Sequence, residues 1–255
     1  MTPDLRTTLS LAVSPAPALQ DVSMTLICSQ ELDEGQVLFW RELLDHVARS
    51  VNHGALCGSQ LDPLGSSLRN LCMESQGERQ LRFQFGIEGV DAAAWRVILQ
   101  LMAAASECSF PLDAVHISSP ASAGLALVGD HALALPYPGI PDRLPFSLER
   151  LEPQSADKDR YLEFEFARSV QRQHGHEIEQ ALQSWAELLM GGYPKEDEHP
   201  MDNACDEPAT DWVGGTTLLF SLPGYLGSES AFDAAVCMAI WFHQRIMPLR
   251  HMTVH

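Results

Sequence analysis

Apolar and polar residues alternate in two segments that lie far apart in the chain. Segment 81–85 reads LRFQF and segment 218–222 reads LLFSL, with an apolar residue at every second position. Such alternation predicts a strand with one buried face. The segments are separated by 137 residues (218 − 81), which indicates an internal repeat.

The same register extends without gaps and places Leu81–Ile117 on Leu218–Val254. Residues of similar kind coincide at a predicted helix start, within that helix and at the start of the next strand: Asp91 with Ser228, Trp95 with Phe232, Pro111 with Pro248 and Leu112 with Leu249. Asp and Ser are both favoured at helix N-caps. Each segment is therefore predicted to form a strand, a helix and a second strand.

The residues before these segments repeat more loosely. Val22–Ser29 resembles Tyr161–Arg168, and a further candidate strand precedes each of them, at Thr7–Val13 and Leu144–Leu148. Each leads into an amphipathic helix, in which Trp40 and Trp185 are predicted to take matching places. The apolar stripe comprises Val37, Trp40, Leu44, Val47 and Val51 in the first helix and Ile178, Ala181, Leu182, Trp185, Leu188 and Leu189 in the second.

This order of elements defines the expected fold. Each half reads strand, strand, helix, variable middle, strand, helix, strand, with the first middle holding candidate strands at Ala55–Gln60 and Leu68–Glu74. The order resembles the ferredoxin-like split β-α-β unit with an added leading strand. We expect an α+β protein built by tandem duplication, with antiparallel sheets and helices on one face. The expected divisions are a first half at 1–119, a proline-rich connection at 120–145 and a second half at 146–255.

One segment of the second half is strongly acidic. Lys195–Trp212 holds seven acids and one base, and we predict an exposed loop there. Its carboxylates are candidates for binding a protein partner: Glu196, Asp197, Glu198, Asp202, Asp206, Glu207 and Asp211. The glycines that follow, Gly214-Gly215, are expected to lead into the next strand.

Overall charge and cysteine usage narrow the class of protein. The chain carries 34 acidic and 16 basic residues, for a formal charge of −18. Such a surface repels nucleic acid and anionic lipid and attracts basic proteins. The six cysteines form no CxxC pair, and no signal peptide or membrane-spanning apolar run is evident. We therefore expect a cytoplasmic protein that binds neither nucleic acid nor membranes.

Two histidine motifs are the strongest candidates for catalysis. His116-Ile-Ser118 and His251-Met-Thr253 each read His-apolar-Ser/Thr, and residues two apart on a strand share a face. The repeat register sets His116 opposite Thr253, not opposite His251. The paired motif resembles that of the 2H phosphoesterases, which also have duplicated halves. The resemblance implies hydrolysis of phosphoesters, with His116, Ser118, His251 and Thr253 in a cleft between the halves.

Other polar clusters have simpler interpretations. His174, His176 and Glu177 lie near a helix start, but their spacing is not that of ligands on one helical face, so we predict no metal and no cofactor. His243 and Arg245 are expected to compensate the dipole at a helix C-terminus. Glu163 and Glu165 alternate on one strand, either as paired carboxylates or as a solvated face.

The charge and the absence of a complete catalytic motif favour a binding protein. Our leading hypothesis is a non-enzymatic acidic module that binds a basic protein, as inhibitors of bacterial toxins do, by electrostatic attraction. The hydrolase is the alternative hypothesis. A third is that the acidic segment only aids solubility and that a sheet edge forms the interface.

Overall fold

The computed structural model describes residues 20–55, 63–90, 110–119, 122–126, 139–151, 160–190, 208–223 and 229–255, with helical positions 94, 95, 98, 99, 101, 102, 105 and 106. These residues hold three full helices: α1 (Glu34–Asn52), α2 (Arg172–Met190) and α3 (Glu229–Arg245). Five strands precede residue 130: β1 (Gln20–Cys28), β2 (Ser67–Gln76), β3 (Gln80–Glu88), β4 (Leu112–Ser119) and β5 (Ser122–Ala126). Five follow it: β6 (Ser147–Arg150), β7 (Arg160–Phe166), β8 (Ala209–Val213), β9 (Thr217–Leu222) and β10 (Leu249–Val254).

The strands form two sheets of five. Sheet 1 has the order β2-β3-β1-β4-β5 and sheet 2, taken from its opposite end, the order β8-β9-β7-β10-β6. All neighbours are antiparallel except β6 and β10, which are parallel. The prediction of an α+β protein with antiparallel sheets is confirmed.

The three central strands of each sheet share one pairing register. Leu26 of β1 pairs with Leu81 and Val115 on its two sides. Phe164 of β7 pairs with Leu218 and Met252, which lie 137 residues beyond those partners. Both sheets also have a shift of pairing register at the corresponding place. In sheet 1 it falls between Ile27 and Cys28, where β1 pairs with the start of β4. In sheet 2 it falls between Leu249 and His251, where the start of β10 pairs with β7.

Backbone hydrogen bonds outside the strands also correspond. The Ser29 amide donates to the Pro111 carbonyl, and the Ala167 amide donates to the Pro248 carbonyl. The Leu32 amide donates to the Glu78 carbonyl, as the Val170 amide does to the Gly215 carbonyl. The chain therefore leaves the central strand of each sheet along the same path.

Helices α1 and α2 have the same length and share most of their buried positions. Each has 19 residues, and α2 begins 138 residues (172 − 34) after α1. Asp33 caps α1 through a reciprocal pair of hydrogen bonds with Gln36. The offset sets Trp40 at the position of Ile178 and Trp185 at that of Val47. The prediction that the two tryptophans match is therefore wrong, although all four residues are buried.

The helices lie between the sheets. The buried faces of both sheets and the helices belong to one apolar core, and α1 packs along α2. From Ala231 to Ile240, α3 is buried on every side except at Asp233, as expected for an apolar helix enclosed by other elements. The other face of each sheet is turned to solvent.

Several sequence-based assignments need correction. Residues 209–213 form strand β8, although they were expected in a loop, and Gly214 and Gly215 make the β8–β9 turn with φ of 61° and 73°. β5 extends sheet 1 into the segment expected to be the connection. The sequence-based alignment of Val22 with Tyr161 is wrong by one residue, because strand pairing places Val22 at the position that corresponds to Arg160. The candidate strand Thr7–Val13 and most of Ala55–Gln60 lie outside the described residues.

Candidate functional site

The solvent face of sheet 2 carries the outward side chains of β7. Leu162, Phe164 and Phe166 are buried, so the intervening Glu163 and Glu165 point outward. Their side chains are 38% and 44% exposed. The alternation that predicts the strand thus also places two carboxylates on one surface.

Pairing across the sheet brings further acidic residues into line. Thr253 of β10 is paired with Glu149 of β6 on one side and Glu163 on the other. Glu163 is paired with Leu219, which in turn pairs with Asp211 at the sheet edge. One row across the five strands therefore holds three carboxylates. We refer to Glu149, Glu163, Glu165 and Asp211 as the acidic face.

A second row places histidine beside this face. His251 is paired with Ser147 of β6 and Glu165 of β7. Its Nδ1 lies 2.7 Å from the Ser147 hydroxyl, and its Nε2 lies 3.6 Å from a Glu149 oxygen. His255 lies next along the same face, with Nε2 3.7 Å from a Glu163 oxygen.

The carboxylates of the acidic face are only loosely paired. Arg250 lies 3.7 Å from Glu165, longer than a charge-assisted hydrogen bond. By contrast, Arg150 bonds Glu229 at 2.6 Å and also binds Asp233. The acidic face thus keeps oxygen acceptors that its own cations do not saturate.

The two histidine motifs lie on different sheets. His116 is exposed on sheet 1 opposite Thr25, and Ser118 lies opposite Ser23 on the same face. His251 lies on sheet 2, and Thr253 is buried between its neighbours, with 6% exposure. Because the helices separate the two solvent faces, the structure does not bring His116 and Ser118 together with His251 and Thr253.

An open depression of about 490 Å³ lies on the outer face of sheet 1. Polar residues line it, among them Asp21, Ser23, Cys72, Gln84 and Ser118. Asn70 at its rim has a φ of 56°, where strand β2 shifts register against β3. The Cys72 thiol is exposed.

Of the partner-binding candidates in the acidic segment, Asp211 lies within the described residues and is exposed. Its neighbour Trp212 faces the helices, where its indole nitrogen donates to Glu179 at 2.6 Å and its ring lies 5.8 Å from Phe166. The inward Trp212 fixes Asp211 outward. The other six lie outside the described residues: Glu196, Asp197, Glu198, Asp202, Asp206 and Glu207.

The described contacts around the two histidines near the start of α2 are local. Gly175 between them is covered by Trp212, because an added Cβ would lie 3.3 Å from that indole ring. His176 Nε2 lies 3.0 Å from Gln180 within the helix. Among the described residues no group of three or more His, Cys, Asp or Glu side chains is placed to hold a metal ion. His199, Asp202, Cys205 and Asp206 lie outside that set.

His243 has a more specific role than compensation of a helix dipole. Its Nδ1 accepts a hydrogen bond from the Leu249 amide at 3.0 Å. In the first half, the Ser106 hydroxyl accepts from the Leu112 amide at 2.8 Å. Both side chains therefore connect the end of a helix to the first residue of the following strand.

Sequence reasoning identified Glu163, Glu165 and His251 but not how they combine with Ser147, Glu149 and His255. His255 continues the period-two pattern of His251 and Thr253, a signal visible in the sequence. Ser147 and Glu149 join the face through the parallel pairing of β6 with β10. That pairing depends on the strand order, which local sequence does not specify.

We found no match to this chain among protein-family models, curated proteins or solved structures. Within the ranges that the structure describes, no helix is both long and apolar enough to cross a membrane.

Proposed function

We propose that this chain is a non-enzymatic binding protein that uses the acidic face to bind a basic protein, such as a toxin that it neutralises. The observation that carries the proposal is the row of carboxylates across sheet 2, with further acceptors beside it. A basic partner's lysines and arginines supply the short, charge-assisted bonds that these carboxylates lack.

Two further features support this function. The formal charge of −18 provides long-range attraction that speeds association with a cationic partner. The acidic segment 195–207 precedes β8, the edge strand of the same sheet, in the sequence. We include its carboxylates and Asp211 in the proposed partner-binding surface.

We also infer that the halves are copies of a ferredoxin-like unit. The split β-α-β order in both sheets, their shared register and irregularity, and the matching hydrogen bonds after the central strands support this. In this view the copies share a scaffold, while the carboxylate row belongs to the second copy alone. The positions of sheet 1 that correspond to Glu163 and Thr253 hold Thr25 and His116.

Charge removal on matched surfaces tests the proposed function. Proteins captured by the purified chain at low salt are identified, and the isolated partner is titrated against wild type and the triple variant E149Q/E163Q/E165Q. We expect the triple variant to bind about three- to 150-fold more weakly, because each exposed ion pair contributes about 0.2–1 kcal/mol.

The matched control is E74Q/E78Q/E88Q, which removes three carboxylates from sheet 1 and its β2–β3 turn; Glu74 and Glu78 are exposed and Glu88 is partly exposed. The control should bind like wild type apart from a small general effect of charge. Equal loss in both triple variants would show that net charge, and not the acidic face, determines binding.

A further inference from the structure

Two histidines lie beside carboxylates of the acidic face and, when protonated, compete with a basic partner for them. Two carboxylates of that face, Glu149 and Glu163, each lie within 3.7 Å of an imidazole nitrogen. Both histidines are partly exposed, at 32% for His251 and 40% for His255, so protons reach them from solvent. Imidazole is the side chain whose charge ordinarily changes between about pH 5 and 8.

Hydrogen bonding fixes the orientation of the His251 ring. Its Nδ1 lies 2.7 Å from the Ser147 hydroxyl, which also lies 3.0 Å from the Arg250 carbonyl oxygen. Nε2 is thereby directed toward Glu149, at 3.6 Å from a carboxylate oxygen. A protonated ring donates from both nitrogens and places a full positive charge beside that carboxylate.

The charged groups around the two histidines come from β10 itself and from its two neighbouring strands. β6 contributes Glu149, β7 contributes Glu163 and Glu165, and β10 itself contributes Arg250, whose guanidinium lies near Glu165. His255 is anchored by its amide, which donates to the Tyr161 carbonyl. With neutral histidines the acidic face has four carboxylates against one arginine. With both protonated, it has three cations.

We propose that the acidic face is a pH-gated docking surface, on which protonated His251 and His255 occupy Glu149 and Glu163 and exclude a basic partner. The inference rests on the proposed function and adds its regulation. A basic partner then binds at neutral pH and is released on acidification, because its cations compete with imidazolium groups already held at the same carboxylates.

The test uses the whole chain and a synthetic lysine–glycine peptide as the basic probe, since lysine keeps its charge throughout this pH range. Binding is measured at about pH 7.5 and about pH 5.5. We expect wild type to bind about two- to thirtyfold more weakly at the lower pH, the range that two exposed ion pairs supply. H251Q/H255Q should bind nearly equally at both values.

The matched control is H116Q/H176Q, which removes two histidines from other surfaces and should keep the pH dependence of wild type. If H251Q/H255Q keeps that dependence, or if the control loses it equally, the gating proposal is wrong although binding to the acidic face stands. If wild type does not bind the peptide at either pH, the docking surface and its gating both fail. Loss of binding in E149Q/E163Q/E165Q at neutral pH confirms that the peptide reports on this face.

Discussion

Cys28 shows how neighbouring charges act on a single buried residue. It is 3% exposed at the end of β1. Burial, together with the nearby Asp113 carboxylate, raises the pKa of its thiol to about 11, while the Arg79 guanidinium opposes the change. The Arg79 guanidinium also donates to the carbonyls of Cys28 and Ser29 and lies 3.3 Å from Asp113. The residue is a packed apolar group, not a nucleophile.

Exposed and buried cysteines should therefore differ in the rate at which their thiols are alkylated. In the native protein at neutral pH, iodoacetamide should modify the exposed Cys72 within minutes and leave Cys28 intact, because the thiolate is the reactive form. Peptide mapping by mass spectrometry measures the extent of modification at each site. Denaturation in guanidinium chloride is the control and should expose both. Rapid native alkylation of Cys28 would contradict its buried position.

The second prediction about a single residue concerns the effect of His46 on the pH dependence of stability. Burial lowers the pKa of His46 below its ordinary 6.5, Arg49 acts in the same direction, and Glu187 of α2 with Glu42 and Asp45 of α1 oppose the shift. Its Nδ1 is buried with no hydrogen-bond partner among the described residues. The unfolded chain thus binds this proton more readily than the folded one.

The sign of the pH effect follows from that difference. The contribution of His46 to stability is complete above about pH 6.5 and is lost as the pH falls toward the lowered pKa of the folded state. Urea unfolding at several pH values should show that H46Q loses less stability on acidification than wild type does. H176Q, which removes an exposed histidine, is the control. An unchanged pH profile in H46Q would refute the assignment.

At the scale of elements, the clearest consequence of the repeat is a hydrogen bond from the first amide of a strand to a side chain of the preceding helix, present in both halves. Ser106 and His243 differ chemically, yet each accepts a hydrogen bond from the first amide of the next strand. A buried amide left without an acceptor costs about 1–3 kcal/mol. The position therefore requires an acceptor of suitable reach, and a hydroxyl and an imidazole both provide one.

Substitution at both positions tests this role. S106A and H243F should each lower the free energy of unfolding by about 1–3 kcal/mol, since each leaves a strand amide without its acceptor. Chemical denaturation provides the measurement. S118A changes an exposed serine on β4 and should have little effect. If S106A is as stable as wild type, the hydrogen bond does not contribute as proposed.

The elements that sequence predicts well are those with strong periodicity. The alternation around Phe83 and Phe220 and the apolar stripes of α1 and α2 reflect burial on one face, which sequence records directly. β8 was missed because ATDWV at 209–213 lies at a sheet edge, is mostly exposed and has no such alternation. The one-residue error at Val22 reverses the buried and exposed faces of a strand, because the side-chain period is two.

The candidate site was less predictable because it is assembled across strands. Glu163 and Glu165 could be placed on one face from their spacing alone. Their proximity to Glu149 and His251 depends on β6 and β10 being neighbours in the sheet. The hydrogen bond between Ser147 and His251 that orients the imidazole is likewise a contact between distant parts of the sequence.

At the scale of the whole molecule, one apolar core holds two sheets whose solvent faces differ in chemistry. The face of sheet 1 is polar and mixed, with a shallow depression, whereas that of sheet 2 carries the carboxylate row and its histidines. His116 lies on sheet 1 and His251 on sheet 2, so the two histidine motifs belong to different sheets. The central claim is therefore that the acidic face binds a basic partner.

The most direct test of this claim is the association rate of the isolated partner as a function of ionic strength, measured by stopped-flow for wild type and E149Q/E163Q/E165Q. We predict that the wild-type rate falls steeply with added salt and that the triple variant shows a lower rate with a shallower slope, because electrostatic steering is screened by ions. A rate that is independent of salt, or a triple variant that associates as wild type does, would contradict the claim.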